Sequence, residues 1–221
     1  KDASLYSESL LRINDFTQLS LTQEDFLRGK LYSDQLERQE LRNRTADIKN
    51  YLNHLKVTIR LTPVDTLSQV RIAQLTQRTN QYNLTTKRYT ESDISILRRN
   101  PVYKVYAAEV IDTFGSYGIT AVVITKSKNH KTLEIDSFLL SCRILGLEVE
   151  KALLAFIVRQ AKKRNIRTIE GEFLPTAKNK PAAGFYSSVG FDHDAKKTSR
   201  WYTSLANYTL KTPAHIKIKH A

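Results

Sequence analysis

Three strand-like runs separated only by short turns constrain the fold more than any other feature of the chain. They cover residues 103–112, 119–126 and 132–140 and are rich in β-branched and aromatic side chains. The turns between them, at residues 114–118 and 128–131, contain glycine or polar residues. Because strands joined by short turns pair in antiparallel fashion, the sequence predicts an antiparallel meander.

A long helical pattern follows the meander. Residues 148–163 carry apolar side chains at the spacing of one helix face, and a further strand pattern covers residues 166–173. A helix between two strands implies a crossover, which makes that pair of strands parallel. The other predicted elements are a strand at 57–61, helices at 66–76, 90–98 and within 179–189, and terminal strands at Phe191 and 201–205. The expected fold is therefore an α+β domain with a mixed, mostly antiparallel sheet flanked by helices.

The first 56 residues have a different composition from the rest. They are polar and highly charged, with no proline and one glycine. Helices are predicted at residues 4–13 and, in pieces, from an N-cap at Thr22 to Leu55, with Asp25 in a capping-box position. The apolar face of this region is thin, which is typical of a connector or of an arm packed on a neighbour. We therefore predict a helical arm over residues 1–56 and a compact domain over residues 57–221.

The net charge of +13 favours acidic partners. No helix-turn-helix, zinc-finger or RNA-recognition signature accompanies it, so we do not expect nucleic-acid binding. No apolar run approaches the length of a membrane span and no signal peptide opens the chain, so the expected location is the cytoplasm and no membrane is expected as a partner. The absence of methionine indicates a piece of a longer polypeptide.

Cys142 is the only cysteine and lies between the third meander strand and the long helix. A single thiol forms no internal disulfide and no cysteine-cluster zinc site. Its neighbour Arg143 and a nearby helix start both favour a reactive thiolate. Two interpretations stay open: Cys142 is a small buried hydrophobe, or it is a nucleophile.

The order of elements resembles the GCN5-related N-acetyltransferase (GNAT) fold, and two stretches carry the resemblance. In that superfamily an Arg/Gln-x-x-Gly-x-Gly/Ala loop cradles the pyrophosphate of coenzyme A. Arg143 and Gly146 match the first two landmarks, but Glu148 places a carboxylate at the third, where it disfavours a pyrophosphate. Residues 179–191 resemble the end of many GNAT domains, and the resemblance implies that Tyr186 lies near the leaving thiolate.

A narrower resemblance is to the C-terminal region of FkbH-like proteins. It rests on residues 75–86, 136–146 and 175–179, with weaker matches at 2–6 and 21–25. Full-length members of this family join a haloacid-dehalogenase (HAD)-like domain to a GNAT-like region. They are associated with loading a glyceryl unit from 1,3-bisphosphoglycerate onto an acyl carrier protein in polyketide pathways. The Asp-x-Asp-x-Thr loop that holds Mg²⁺ in the HAD-like domain is absent from this sequence, so we expect no metal and no other cofactor of its own, with phosphopantetheine supplied by the carrier.

The resemblance implies a set of site residues. As catalytic residues we predict Cys142, the acyl-accepting nucleophile, and Tyr186, a general acid. The predicted substrate- or pantetheine-binding residues are Asn80, Asn83, Thr85, Asp136, Arg143, Gly146, Thr176, Lys178 and Asn179. Each has a structural alternative, because Asn and Thr also satisfy turn backbone and a loop lysine is often solvated. Of the five histidines none lies in a matched motif. Three interpretations stay open: His193 approaches the sheet as a base, it is a surface histidine, or the site has no base and Arg143 with helix amides supports the thiolate.

The predicted function is transfer of an acyl group, glyceryl by resemblance, to an acyl carrier protein, with a Cys142 thioester as the hypothesis for the intermediate. Its predicted partners are an acidic carrier protein and a HAD-like domain on the same or another chain. Two alternatives stay open. One is an acetyl-CoA-dependent N-acyltransferase that uses amides near Gly146, Tyr186 as acid and Glu172 as base. The other is a non-catalytic module that docks a carrier protein.

Overall fold

The structure is a computed structural model that describes residues 23–62 and 64–220. The predicted helix at residues 4–13, the predicted cap at Thr22 and the family match at residues 2–6 lie outside the described residues. Contacts divide the chain into two compact units, Lys1–Arg44 and Thr45–Ala221. The predicted boundary after residue 56 stays a prediction.

The described part of the first unit is one helix, α1 (Gln23–Arg44). Its sequence contains no proline and ends with Arg42 and Arg44, whose positive charges suit the C-terminal end of a helix dipole. Arg44 also pairs with Glu40 one turn earlier, at 3.4 Å.

The second unit is built on a mixed sheet, which within the described residues has eight strands. They are β1 (Val57–Thr62), β2 (Tyr103–Ile111), β3 (Ser116–Ser127), β4 (Thr132–Leu140), β5 (Thr168–Glu172), β6 (Asp192–His193), β7 (Arg200–Ser204) and β8 (Ile216–His220). Their order is β6-β7-β5-β4-β3-β2-β1-β8. The predicted antiparallel meander β2-β3-β4 and the parallel β4–β5 pair are confirmed.

Helices cover both faces of this sheet. They are α2 (Ile48–Leu55), α3 (Thr66–Arg78), α4 (Glu91–Arg99), α5 (Val149–Lys163) and α6 (Phe185–Ser188), with 3₁₀ turns at Cys142–Ile144 and Lys180–Ala182. Helices α3 and α4 pack Ile72 and Ile94 against Leu139 on one face. The alternate strand residues point to the other face, where Phe138 contacts Phe185 of α6.

Local sequence signals explain where α3 and α4 begin. Thr90 caps α4, and a reciprocal pair of hydrogen bonds with Asp93 completes the predicted capping box. Asp65 and Ser68 form the same arrangement at the start of α3. Both helices are therefore fixed at the N-terminal end by residues three positions apart.

Strands β4 and β5 pair only over their first four residues, with Ile135 and Gly171 as the last partners. Residues 82–85, from the connection between α3 and α4, lie along the edge of β4 beyond that point; we call them the inserted segment. The Leu84 amide donates to the Phe138 carbonyl at 3.1 Å, and the Leu140 amide donates to the Tyr82 carbonyl at 2.9 Å. The inserted segment thus takes the place of a strand where β4 and β5 separate.

Strand β8 has no counterpart among the predicted elements. This strand runs parallel to β1, with Ile216 opposite Val57. The chain before it crosses α5, where Lys162 donates to the Tyr208 carbonyl at 2.7 Å and Arg159 to the Thr212 hydroxyl at 3.0 Å. A strand of five residues that pairs across so long a sequence separation has little local signal.

None of the helices within the described residues is long and apolar enough to cross a membrane.

Candidate functional site

The predicted nucleophile lies just beyond the end of β4. The Ser141 amide donates to the Thr120 carbonyl at 2.7 Å, which fixes the end of β4 against β3. The 3₁₀ turn follows at once, and the Leu145 amide closes it on the Cys142 carbonyl at 3.4 Å. Cys142 is exposed, so it is not a core residue.

Cys142 lines a cavity of about 380 Å³. Two other predicted residues, Asn80 and Arg143, line the same cavity. Two arginines that the sequence analysis missed, Arg71 and Arg78 of α3, also line it. Their separation of seven residues places them on one helix face, which is the signal that identifies them.

Asn80 is held at this cavity by a neighbouring arginine. Arg88 donates to its side-chain oxygen at 2.5 Å and to the Thr79 carbonyl at 2.9 Å. Arg88 also contacts the Thr76 carbonyl. A guanidinium at the C-terminal end of α3 satisfies carbonyls that have no partner within the helix.

Three further predicted residues hold the inserted segment in place. Asn179 is fully buried and donates to the Asn83 and Leu174 carbonyls at 3.0 and 2.9 Å, while it accepts from the Thr176 amide at 2.7 Å. Asn83 is equally buried and accepts from the Thr86 amide at 2.9 Å. Because these contacts are all within the chain, the ligand-binding role of Asn83, Thr176 and Asn179 stays a prediction.

Asp136 and Thr85 belong to the same internal network. The Thr85 hydroxyl donates to the Asp136 carbonyl at 3.0 Å. The Asp136 carboxylate accepts from Lys87 at 2.6 Å and from the Tyr89 hydroxyl at 2.5 Å. Burial, reinforced by this carboxylate, raises the pKa of Tyr89. Asp136 therefore anchors the chain that follows the inserted segment.

The start of α5 already carries an acidic side chain. Gly146 has φ +84° and Glu148, at the N-cap of α5, has φ +61°. Glu148 pairs with Lys151 at 2.5 Å and lies 3.9 Å from His215. The dipole of α5 favours a negative charge here, and the Glu148 carboxylate supplies one from within the chain.

Tyr186 is buried on α6. Its ring packs between Phe191 and Trp201, and its hydroxyl completes no hydrogen bond, although the Glu172 amide approaches it. Burial raises the pKa of Tyr186. The hydroxyl faces Gly171, where an added Cβ would lie 2.2 Å from the oxygen. The role of Tyr186 as a general acid stays a prediction.

Two other candidates lie apart from the cavity. Lys178 is exposed in the loop after β5. His193 is exposed on β6, where its Nε2 contacts the Thr198 carbonyl at 2.8 Å, and it does not line the cavity. Within residues 23–62 and 64–220, no group of three or more His, Cys, Asp or Glu side chains is placed to hold a metal ion.

No protein-family model matches this chain, and no curated protein sequence matches it either.

Solved structures share its fold at low sequence identity. The spermidine N-acetyltransferase from Vibrio cholerae, solved in complex with CoA and spermine, has a TM-score of 0.52 and 14% identity over 69% of this chain and 98% of that one. Ard1 from Thermoplasma volcanium has a TM-score of 0.50 and 15% identity over 68% and 98% of the two chains. These likenesses, together with the sheet order and the flanking helices, show that the chain has the fold of the GNAT acetyltransferases.

Proposed function

We propose that this protein is an acyltransferase in which Cys142 accepts an acyl group and passes it to the phosphopantetheine thiol of an acyl carrier protein. The observation that carries the proposal is the exposed Cys142 thiol in a cavity shared with Asn80 and Arg143. On the resemblance to FkbH-like proteins, the proposed acyl group is a glyceryl unit from 1,3-bisphosphoglycerate. The proposed partner that loads it onto Cys142 is a HAD-like domain.

The reaction is two successive acyl transfers, from phosphate to the Cys142 sulfur and from that sulfur to the carrier thiol. The Cys142 thiolate attacks the carbonyl carbon of the acyl phosphate, the bond from that carbon to the phosphate oxygen breaks, and phosphate leaves with the bonding electrons. Water then cleaves the remaining 3-phosphate ester on the HAD-like domain, which releases a second phosphate and leaves a glyceryl thioester. The carrier thiol then loses its proton and attacks the thioester carbon, and the Cys142 sulfur leaves and regains a proton. Arg143 follows Cys142 in sequence and lines the same cavity.

The inserted segment supports this route over one that uses coenzyme A. An acyl arm that entered between β4 and β5 toward Tyr186 would have to displace residues 82–85, which bond both to β4 and to Leu174 beyond β5. Glu148 adds a carboxylate at the start of α5, where the arm's pyrophosphate would lie. The thioester route needs neither position, because Cys142 is exposed as it stands.

Intact-protein mass spectrometry tests the proposal. The wild type and Cys142→Ala are incubated with glyceryl-loaded carrier protein and, separately, with the cognate HAD-like domain and 1,3-bisphosphoglycerate. We expect a glyceryl adduct on the wild type that hydroxylamine removes and that Cys142→Ala lacks. Arg167→Gln, which alters a residue at a different cavity and keeps the thiol, should still form it. An adduct on neither protein would refute Cys142 as the acyl acceptor.

A second candidate is an acetyl-CoA-dependent N-acyltransferase. Burial, and to a smaller extent the negative charge of Glu172, raise the pKa of Tyr186, and this influence of the carboxylate favours the second candidate because it relates the two residues of the acid–base pair. The Glu172 carboxylate is held by the Ser199 hydroxyl at 2.9 Å. Saturable acetyl-CoA binding by calorimetry, with no adduct on Cys142, would select this candidate. Carrier binding with neither acetyl-CoA binding nor an adduct would select a docking module.

A further inference from the structure

Three guanidinium groups converge on the cavity beside Cys142. Arg71 and Arg78 come from one face of α3, and Arg143 comes from the 3₁₀ turn after β4. The two elements are far apart in sequence, so the tertiary fold alone brings these charges together. Arg71 is fixed in position, because its Nε donates to the Ile119 carbonyl at 3.3 Å.

Within the described residues, no carboxylate pairs with this cluster. No aspartate or glutamate is among the lining residues of the cavity, and none of the three arginines forms a salt bridge with a residue in the described part of the chain. Elsewhere arginines do find carboxylates, as Arg60 does with Glu109 at 2.9 Å. Burial, and then the charges of Arg143 and Arg78, lower the pKa of Arg71.

An unbalanced cluster of guanidinium groups in a small cavity matches one chemical class of ligand. Guanidinium groups bind phosphate oxygens in a fork geometry. A volume of about 380 Å³ suits a small molecule rather than a macromolecule. The uncharged groups of Gln74, Gln81 and Ser141 line the same cavity and are donors and acceptors for hydroxyl groups.

We infer that Arg71, Arg78 and Arg143 form a binding site for the phosphate group of a small phosphorylated ligand, beside Cys142. The inference deepens the proposed function, since the acyl donor proposed there carries phosphate. In this site the phosphate is bound by arginine side chains of α3 and the 3₁₀ turn. It is not bound by the backbone amides at the start of α5, where Glu148 is the N-cap residue. The phosphate comes either from a phosphorylated three-carbon donor or from the phosphopantetheine arm, and the test separates these sources.

Calorimetry at low ionic strength with 3-phosphoglycerate, glycerate and 4′-phosphopantetheine tests the site. We expect 3-phosphoglycerate to bind more tightly than glycerate. Arg78→Gln and Arg143→Gln should weaken its binding roughly tenfold to a hundredfold, which corresponds to the loss of a hydrogen bond to a charged group. Arg78→Lys should lose less, because it keeps the charge without the fork. Tighter binding of 4′-phosphopantetheine than of 3-phosphoglycerate would assign the site to the carrier arm.

The controls separate a built site from general attraction by a basic surface. Arg167→Gln removes the same charge from a different cavity and should leave the affinity unchanged. Arg71 is half-buried, so Arg71→Gln could also affect folding. The test therefore uses variants of Arg78 and Arg143, which are exposed. Equal affinity of Arg78→Gln, Arg143→Gln and the wild type would overturn the inference, as would equal weakening by Arg167→Gln or equal binding of glycerate.

This test is independent of acyl transfer. Cys142→Ala should bind 3-phosphoglycerate like the wild type, because it keeps the three arginines. Phosphate binding without a glyceryl adduct would leave the phosphate site standing and refute only the thioester. An adduct on Cys142, with a phosphate affinity that the arginine variants do not change, would refute the phosphate site and leave the thioester.

Discussion

At the scale of single residues, the contact between Gly171 and Tyr186 determines what the α6 side of the sheet can accommodate. Gly171 pairs with Ile135 of β4 and with Trp201 of β7. The Tyr186 ring fills the space over it that any side chain at position 171 would need. The glycine is therefore required by the approach of a ring and not by its backbone angles.

Gly171→Ala should destabilise the protein strongly. The added Cβ would lie 2.2 Å from the Tyr186 oxygen and 2.4 Å from its Cζ, and the ring is already packed against Phe191 and Trp201. Overpacking of this kind costs about 1–3 kcal/mol or more in the free energy of unfolding. Denaturant unfolding measures it, with Gly184→Ala as the matched control, because an added Cβ there meets nothing within 4 Å. Equal midpoints for the two variants would contradict the expectation.

Tyr186→Phe should leave the protein as stable as the wild type or more stable, by up to about 1 kcal/mol. The reason is that the Tyr186 hydroxyl is buried without a hydrogen bond. Tyr208→Phe is the comparison, because that hydroxyl donates to the Val189 carbonyl at 2.6 Å and its loss should destabilise.

The same Tyr186→Phe variant tests the predicted general acid. Removal of the hydroxyl keeps the ring and its packing, so a loss of acyl transfer at unchanged stability would assign the proton transfer to Tyr186. Unchanged transfer would leave the residue with a packing role alone.

At the scale of elements, the inserted segment is the feature that fills the space where β4 and β5 diverge. It occupies the edge of β4 where β4 and β5 separate, and it is held from both sides by backbone hydrogen bonds. The Asn179 side chain adds two donors and one acceptor to the same contact. The inserted segment is therefore bound as a strand is bound, although only an isolated bridge joins Asn83 to Leu139.

Asn179→Ala should release the inserted segment. It leaves the buried Asn83 carbonyl and the part-buried Leu174 carbonyl without their side-chain donor, and the buried unsatisfied group costs about 1–3 kcal/mol. Hydrogen exchange should quicken at the Leu84, Leu140 and Leu174 amides before it does in the meander. Asn129→Ala is the control, because Asn129 accepts from two amides in an exposed turn. Unchanged protection at Leu84 would show that the backbone bonds suffice without Asn179.

At the scale of the whole molecule, the net charge of +13 bears on the rate at which the protein associates with acidic molecules. Salt bridges such as Arg60–Glu109 and Lys128–Glu170 balance only part of the basic residues within the described chain. A basic surface raises the rate of encounter with an acidic protein more than it strengthens the final contact. The charge therefore bears on association and not on the choice of fold.

Binding to an acidic carrier protein should weaken as salt is added. Surface charges are screened over about 10 Å at 0.1 M ionic strength and about 3 Å at 1 M. Surface plasmon resonance should show a falling association rate with a nearly constant dissociation rate. A carrier variant with fewer acidic residues serves as the control and should respond less to salt. A dissociation rate that carries the whole effect would point instead to buried ion pairs.

The elements of this protein follow from local sequence. The capping pair Thr90 and Asp93, the alternation of the three meander strands and the apolar face of residues 148–163 each act within a few residues, so their structure could be predicted directly. The order of these elements along the chain then predicted an α+β fold with a mixed sheet, which is confirmed.

The composition of the site was decided by the tertiary structure. Of the predicted site residues, Asn80, Cys142 and Arg143 meet at the open cavity, while Asn83, Thr85, Asp136 and Asn179 bind one another's backbone around the inserted segment. Arg71 and Arg78 line the same cavity as Cys142 because α3 lies beside a turn about 70 residues further along the chain. Strand β8 pairs with β1 across more than 150 residues. A sequence pattern shows the periodicity of neighbouring residues along the chain. These long-range contacts depend instead on which elements come together once the sheet has formed.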